Sequence, residues 1–248
     1  MAEVLEAVGL SKSFGALQVT REVSLTLAAG EVHAVIGPNG AGKTTLIHQL
    51  SGALRPDRGQ IRLCGRDITH ASPEARARAG LVRSFQITSV LPEFSVLENV
   101  AFSVQARAGR AMRPWGRANG DAAANRGGMA ALERMEIADR ADRLAGRLSH
   151  GEKRQLELAM AVAADPVAML LDEPLVGSGP EEARRLIALL RGMKGGAAIL
   201  LVEHDMDAVF ALADRLTVLA EGRVIASGRP EVVRADEAVR AAYLGEDF

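Results

Sequence analysis

The chain has 248 residues, 48% of them hydrophobic, with 30 basic and 31 acidic side chains and a formal net charge of −1. That length suits one large α/β domain with a modest subdomain and excludes a multi-domain array, and the even charge excludes the basic field of a nucleic-acid binder. One cysteine and five scattered histidines exclude an internal disulfide and a zinc-spaced cluster; no leader pattern opens the sequence and no run approaches 18 apolar residues, so no membrane span is expected.

Residues 4–10 and 17–27 read as strands, because Val23, Leu25 and Leu27 alternate with Ser24 and Thr26. They predict an N-terminal β layer. The apolar run 32–36 predicts a buried strand, and 44–50 a helix. Between them lie Gly37, Pro38, Asn39, Gly40, Ala41, Gly42, Lys43, Thr44 and Thr45. A glycine-rich turn entering a helix wraps phosphates with backbone N–H groups. Lys43 can reach the β- and γ-phosphates, and the Thr44 hydroxyl can ligate Mg²⁺. The chain is therefore expected to bind a nucleoside triphosphate.

A strand is expected at 60–64, with Cys64 as a packed strand residue, followed by a short helix at 73–79 and a strand at 81–85. Residues 96–106 read as helix. From 107 to 128 the chain carries Arg107, Arg110, Arg113, Arg117 and Arg126 against Asp121 alone, interleaved with glycine and asparagine. Lacking helical periodicity, it is expected to be an insertion or mobile loop. Helices at 129–137 and 149–164 come next. Then strands at 167–171, 198–202, 216–220 and 224–226 alternate with helices at 180–190 and 205–212. Near-continuous apolar strands in that alternation predict a mainly parallel sheet covered on both faces. No internal repeat is seen, so one nucleotide-binding unit is expected.

The strand at 167–171 ends in Asp172 and Glu173, where an aspartate can hold Mg²⁺ while its neighbour polarises a water. At Leu148-Ser149-His150-Gly151-Glu152 a serine and a glycine open a helix, either as an ordinary cap or as N–H groups and a hydroxyl offered to an anion.

Together these residues resemble the ATP-binding-cassette ATPases, the engine subunits of ABC transporters, over essentially the whole chain. The resemblance implies an α/β P-loop NTPase fold with a mainly parallel sheet, an antiparallel N-terminal β layer and an inserted helical signature subdomain. It implies divisions at 1–86, 87–164 and 165–248, the last ending in helices. Residues 148–152 match the family's Leu-Ser-Gly-Gly-Gln segment, with His150 and Glu152 as departures and Ser149 and Gly151 retained. Gln86 matches the glutamine expected to touch Mg²⁺, His204 the histidine that contacts the γ-phosphate, and Phe14 an aromatic that stacks on adenine. Glu173 is then the catalytic carboxylate, and Asp172, Thr44 and Gln86 the Mg²⁺ ligands. Gly179 stands where most members have an aspartate.

The resemblance further implies a head-to-tail dimer with a second cassette, each ATP held between the phosphate loop of one chain and Ser149 to Gly151 of the other. Two transmembrane permease subunits and, indirectly, a substrate-binding protein complete the assembly, with no nucleic acid. The chain would act at the cytoplasmic face of the inner membrane. Residues 148–161, 202–206 and 242–245 look like the ATPases of branched-chain amino acid, amide or urea importers, the longer of two subunits. A lipopolysaccharide-export ATPase and a soluble, non-transport ABC ATPase are the alternatives.

Overall fold

The computed structural model describes residues 2–83, 90–107 and 121–242. Its residues gather into two compact units: Met1–Arg83 with Val167–Glu173 and Leu190–Phe248, and Ser84–Pro166 with Pro174–Leu189.

The first unit holds two sheets. Strands β1 (Glu3–Phe14), β2 (Leu17–Ala28), β4 (Arg58–Leu63) and the two-residue β5 (Arg66–Asp67) form an antiparallel layer in the order β2-β1-β4-β5. The second sheet has the order β10-β9-β3-β8-β7-β6. It comprises β3 (Val32–Ile36), β6 (Leu81–Arg83), β7 (Ala168–Asp172), β8 (Ala198–Val202), β9 (Arg215–Ala220) and β10 (Arg223–Gly228). All neighbours in it are parallel except β10 against β9. Every residue of β3, β7 and β8 is buried, as strands covered on both faces must be.

The two faces divide by alternation. Val35, Leu170 and Leu200 pack with Leu46, Ile47 and Leu50 of α1 (Lys43–Ser51) and with Leu5, Leu10, Val23 and Ile61 of the antiparallel layer. Ala34 and Ile36 point the other way, against Val209 of α7 (Met206–Leu212), Val233 of α8 (Pro230–Arg234) and Val239 of α9 (Glu237–Ala242). Fully burying each leucine or isoleucine of α1 contributes about 2 kcal/mol, so its apolar face fixes the helix under the phosphate loop.

The far end of α1 is tied down by a buried arginine. Arg76, on α2 (Pro73–Arg78) and 1% exposed, donates to the Gln49 and Leu50 carbonyls at 2.8 and 2.6 Å. It also reaches the carbonyls of Thr69 and Ala71. The first two bonds cap the C-terminus of α1, the Gln49 carbonyl also accepting from the Gly52 N–H, and the cation complements the helix dipole.

In the second unit α3 (Val96–Arg107), α4 (Ala122–Arg134) and α5 (His150–Ala163) pack together, and α6 (Pro180–Gly192) begins there. Two expectations are corrected. The span 107–128 is not a loop throughout: 122–128 belong to α4, and 108–120 lie outside the described residues. Asp121 caps α4 by accepting from the Ala123 and Ala124 N–H groups. Gly127 and Gly128 are not breakers but contact points. A Cβ on Gly128 would lie 3.1 Å from Leu97 of α3, and one on Gly127 3.4 Å from Val104. Cys64 is likewise not a packed strand residue. It is exposed in the turn after β4, with φ 48°.

Candidate functional site

Register brings the chemistry to one edge of the parallel sheet. Val35 of β3 lies opposite Val202 of β8, and Val202 opposite Asp172 of β7. The chain therefore leaves these three strands at the same level, into the phosphate loop, Glu203-His204 and Glu173. The crevice beyond the carboxyl ends of parallel strands is where open α/β sheets bind ligands.

The phosphate loop is held from both sides. Gly42 takes φ 102°, and a Cβ there would lie 2.6 Å from the Val19 carbonyl oxygen. Gly40, at φ 81°, makes the turn before it. Ala41 N–H donates to the Pro38 carbonyl at 3.1 Å and the Gly222 N–H to the Ala41 carbonyl at 3.1 Å, anchoring the loop on the β9–β10 turn. Lys43 is buried, its ammonium donating to the Gly37 and Pro38 carbonyls. Asn39 and Thr44 are exposed, and Thr45 is half-buried. The loop thus carries backbone N–H groups, an ammonium and a hydroxyl within nine consecutive residues, a set suited to phosphates.

Asp172 is 2% exposed. Its Oδ2 accepts from Arg83 Nη2 at 3.1 Å, while its buried Oδ1 has no hydrogen-bond partner among the described residues. An anionic oxygen left open in this way, with the Thr44 hydroxyl at the start of α1, fits a hard cation such as Mg²⁺. That ion is commonly held by one or two carboxylates and substrate phosphates. His48 on α1 has its pKa lowered, by burial first and then by Arg83, against the attraction of Asp172.

Glu173 is half-buried and sits in the left-handed region at φ 49°, its N–H donating to the Val202 carbonyl at 2.9 Å. His204 is exposed, and its N–H donates at 3.1 Å to Glu203, whose carboxylate is fully buried. Phe14 is 50% exposed at the β1–β2 turn, with the Lys12 ammonium 5.8 Å from its ring centre. Gln86 lies outside the described residues.

In the second unit Ser149 is the N-cap of α5. Its hydroxyl accepts from the Glu152 N–H at 3.2 Å and Glu152 Oε2 accepts from the Ser149 N–H at 2.8 Å. This reciprocal cap explains the acidic departure at Glu152. The Ser149 N–H together with Arg140 holds the Glu152 carboxyl below its ordinary pKa. Gly151 is packed so closely that a Cβ would meet the Glu182 carboxylate at 2.5 Å.

Sequence reasoning missed Arg83, Glu203 and Arg76. For Arg83 and Glu203 the available signal was a charged residue just beyond an apolar run, which marks a buried group that needs a partner; Arg76, among the charged residues of α2, carried no such signal.

Residues 20–176 match the family model described as ABC transporter, and residues 223–248 match that of the branched-chain amino acid ATP-binding cassette transporter. The chain belongs to the ABC transporter family. It is an ATP-binding, ATP-hydrolysing cassette subunit. It is 36% identical, over 99% of its length and 100% of the relative's, to the high-affinity branched-chain amino acid transport ATP-binding protein LivG of Salmonella typhimurium. It is 35% identical to BraF of Pseudomonas aeruginosa over 98% of both chains. The lipopolysaccharide export system ATP-binding protein LptB of Acidithiobacillus ferridurans is 34% identical over 100% of this chain and 99% of its own. Among solved structures, the ADP conformation of an ATP-binding cassette of an ABC transporter superposes with a TM-score of 0.86 at 30% identity, covering 99% of this cassette and 100% of that one. No helix among the cassette's described residues is long and apolar enough to cross a membrane.

Proposed function

We propose that this cassette drives import of branched-chain amino acids or related small polar solutes. It works at the cytoplasmic face of the inner membrane on two permease subunits fed by a substrate-binding protein. The observation that carries this reading is the match of the C-terminal residues 223–248 to the branched-chain amino acid cassette model, added to whole-chain likeness to LivG and BraF.

In the cycle we propose, Phe14 stacks on adenine, and the N–H groups of residues 37–45 and Lys43 hold the phosphates. Mg²⁺, when bound by Thr44, Asp172 and Gln86, neutralises phosphate charge. Glu173 orients and deprotonates the attacking water, and His204 contacts the γ-phosphate. Ser149 and Gly151 serve the nucleotide of the partner cassette, so ATP closes the dimer and hydrolysis opens it.

The test is uptake of radiolabelled leucine, isoleucine and valine by cells lacking the gene, with the wild-type and Lys43→Ala chains restored in turn. Loss of uptake rescued only by the wild type supports import. Normal uptake together with defective lipopolysaccharide export favours an export role like that of LptB, whose identity of 34% makes it the second reading.

A further inference from the structure

Asp172 and Arg83 close the neighbouring parallel strands β7 and β6 with side chains 1% and 12% exposed. An ionised carboxylate in such a place is strongly disfavoured unless a cation stands beside it. Arg83 supplies one, yet through a single contact of Nη2 on Oδ2. Guanidinium and carboxylate commonly meet as a two-bond fork. Here one prong of each is left open, because Asp172 Oδ1 and Arg83 Nε are both buried with no hydrogen-bond partner among the described residues. The carboxylate is neutralised but not saturated.

We infer that Arg83 is a stand-in cation for Asp172, neutralising it while the site lacks nucleotide and metal and loosening its hold when a divalent cation takes the open Oδ1. The inference rests on the reading of Asp172 as a metal-holding carboxylate. Its physical basis is competition. A guanidinium and a divalent ion on the two oxygens of one carboxylate repel each other, and the buried setting screens them poorly. Arg83 therefore weakens the metal's hold while keeping the empty site folded. It acts on the reaction only through Asp172, as a positioning residue.

The experiment compares Arg83→Gln and Arg83→Lys with the wild type, using Mn²⁺ as the probe. Mn²⁺ binding to the ADP-loaded protein is followed by electron paramagnetic resonance, and melting is measured in EDTA and with saturating Mn²⁺ and ADP. Arg83→Gln is expected to bind Mn²⁺ at least three-fold more tightly and to melt below the wild type in EDTA, with at least half of that gap closing when metal and ADP are present. Arg83→Lys, which keeps the charge, should restore both properties toward wild type. Equal or weaker Mn²⁺ binding by Arg83→Gln, or a melting gap of the same size in both conditions, overturns the inference and leaves Arg83 a plain structural residue.

Should Arg83→Gln not fold, the wild-type chain labelled with ¹⁵N-arginine serves. The Arg83 Nε–H resonance, assigned by its loss in Arg83→Lys, should shift when Mg²⁺ is added to the ADP-loaded protein, and an unmoved resonance overturns the inference. Asp172→Asn separates the underlying reading: if it binds Mn²⁺ as the wild type does, Asp172 is not a metal ligand, whatever Arg83 does.

Discussion

Glu173 carries two demands at once. It follows the buried end of β7 and is held at φ 49° with its N–H on the Val202 carbonyl, a conformation that costs a non-glycine residue of order 1 kcal/mol or more. Strain of that kind at the proposed base indicates that the side chain's direction matters more here than local stability. Two substitutions separate the demands. Glu173→Gln should keep ATP binding, because the phosphate loop and Asp172 are untouched, and lose turnover by about 100-fold or more, since an amide cannot accept the water's proton. Glu173→Gly should be equally inactive yet more stable by up to about 1 kcal/mol, because glycine takes that φ freely. Steady-state ATPase rates and denaturant midpoints read both, and a wild-type rate in Glu173→Gln would place the base elsewhere. The glycine spacing of the phosphate loop and the acidic end of an apolar strand were legible in the sequence because each is a local pattern. Arg83 was not, since its partner lies 89 positions away on a neighbouring strand and no local spacing reports that pairing.

At the level of elements, β3, β7 and β8 could be read because burial on both faces leaves apolar runs, and α1 because glycines flank it, whereas the two-residue β5 is too short to leave a pattern. The first half of helix α4, 122–128, was lost because Gly127 and Gly128 look like breakers until α3 lies against them, while its second half read as helix from 129. Two buried groups make elements depend on distant sequence. Arg76 spans α1, α2 and the loop between β5 and α2 by hydrogen bonds to four carbonyls, and burial lowers its pKa to about 10 without discharging it at neutral pH. Arg76→Met should destabilise the chain by about 3 kcal/mol, because hydrogen bonds from a charged donor are lost and buried carbonyls are left unsatisfied. It should also weaken nucleotide binding by letting α1 shift; a chain of unchanged denaturation midpoint would show the cap to be idle. His33 in β3 is 1% exposed, with Nδ1 2.9 Å from the Thr26 carbonyl and Nε2 2.8 Å from Thr217 Oγ1. Burial lowers its pKa from 6.5 to about 4. Between those values the unfolded chain takes up a proton that the folded chain refuses. Stability therefore falls as pH drops through 6.5 toward 4, by up to about 3 kcal/mol from this group. Melting of wild type and His33→Gln at pH 7 and pH 4.5 checks this: the wild type should lose more on acidification, and parallel losses would acquit His33.

On the scale of the whole molecule, the residues proposed to act on one ATP are divided between two compact units, with Lys43, Asp172, Glu173 and His204 in one and Ser149 and Gly151 in the other. In the dimer we propose, each ATP takes its phosphate loop from one chain and its Ser149 helix end from the other. That arrangement makes a prediction no single-chain site shares. Lys43→Ala damages a phosphate loop and Ser149→Arg blocks a helix end with a bulky cation, so each protein alone should form dimers in which both sites are defective. Mixed, they form heterodimers in which one site carries both defects and the other carries none. With random pairing and independent sites, half the dimers hold one intact site of two, so the mixture should recover about a quarter of wild-type turnover. A site contained within each chain predicts no recovery, because no chain in the mixture is whole. ATPase rates of the separate and mixed variants, with dimer exchange verified by differently tagged chains, decide between them; exchange without recovered turnover would end the shared-site reading.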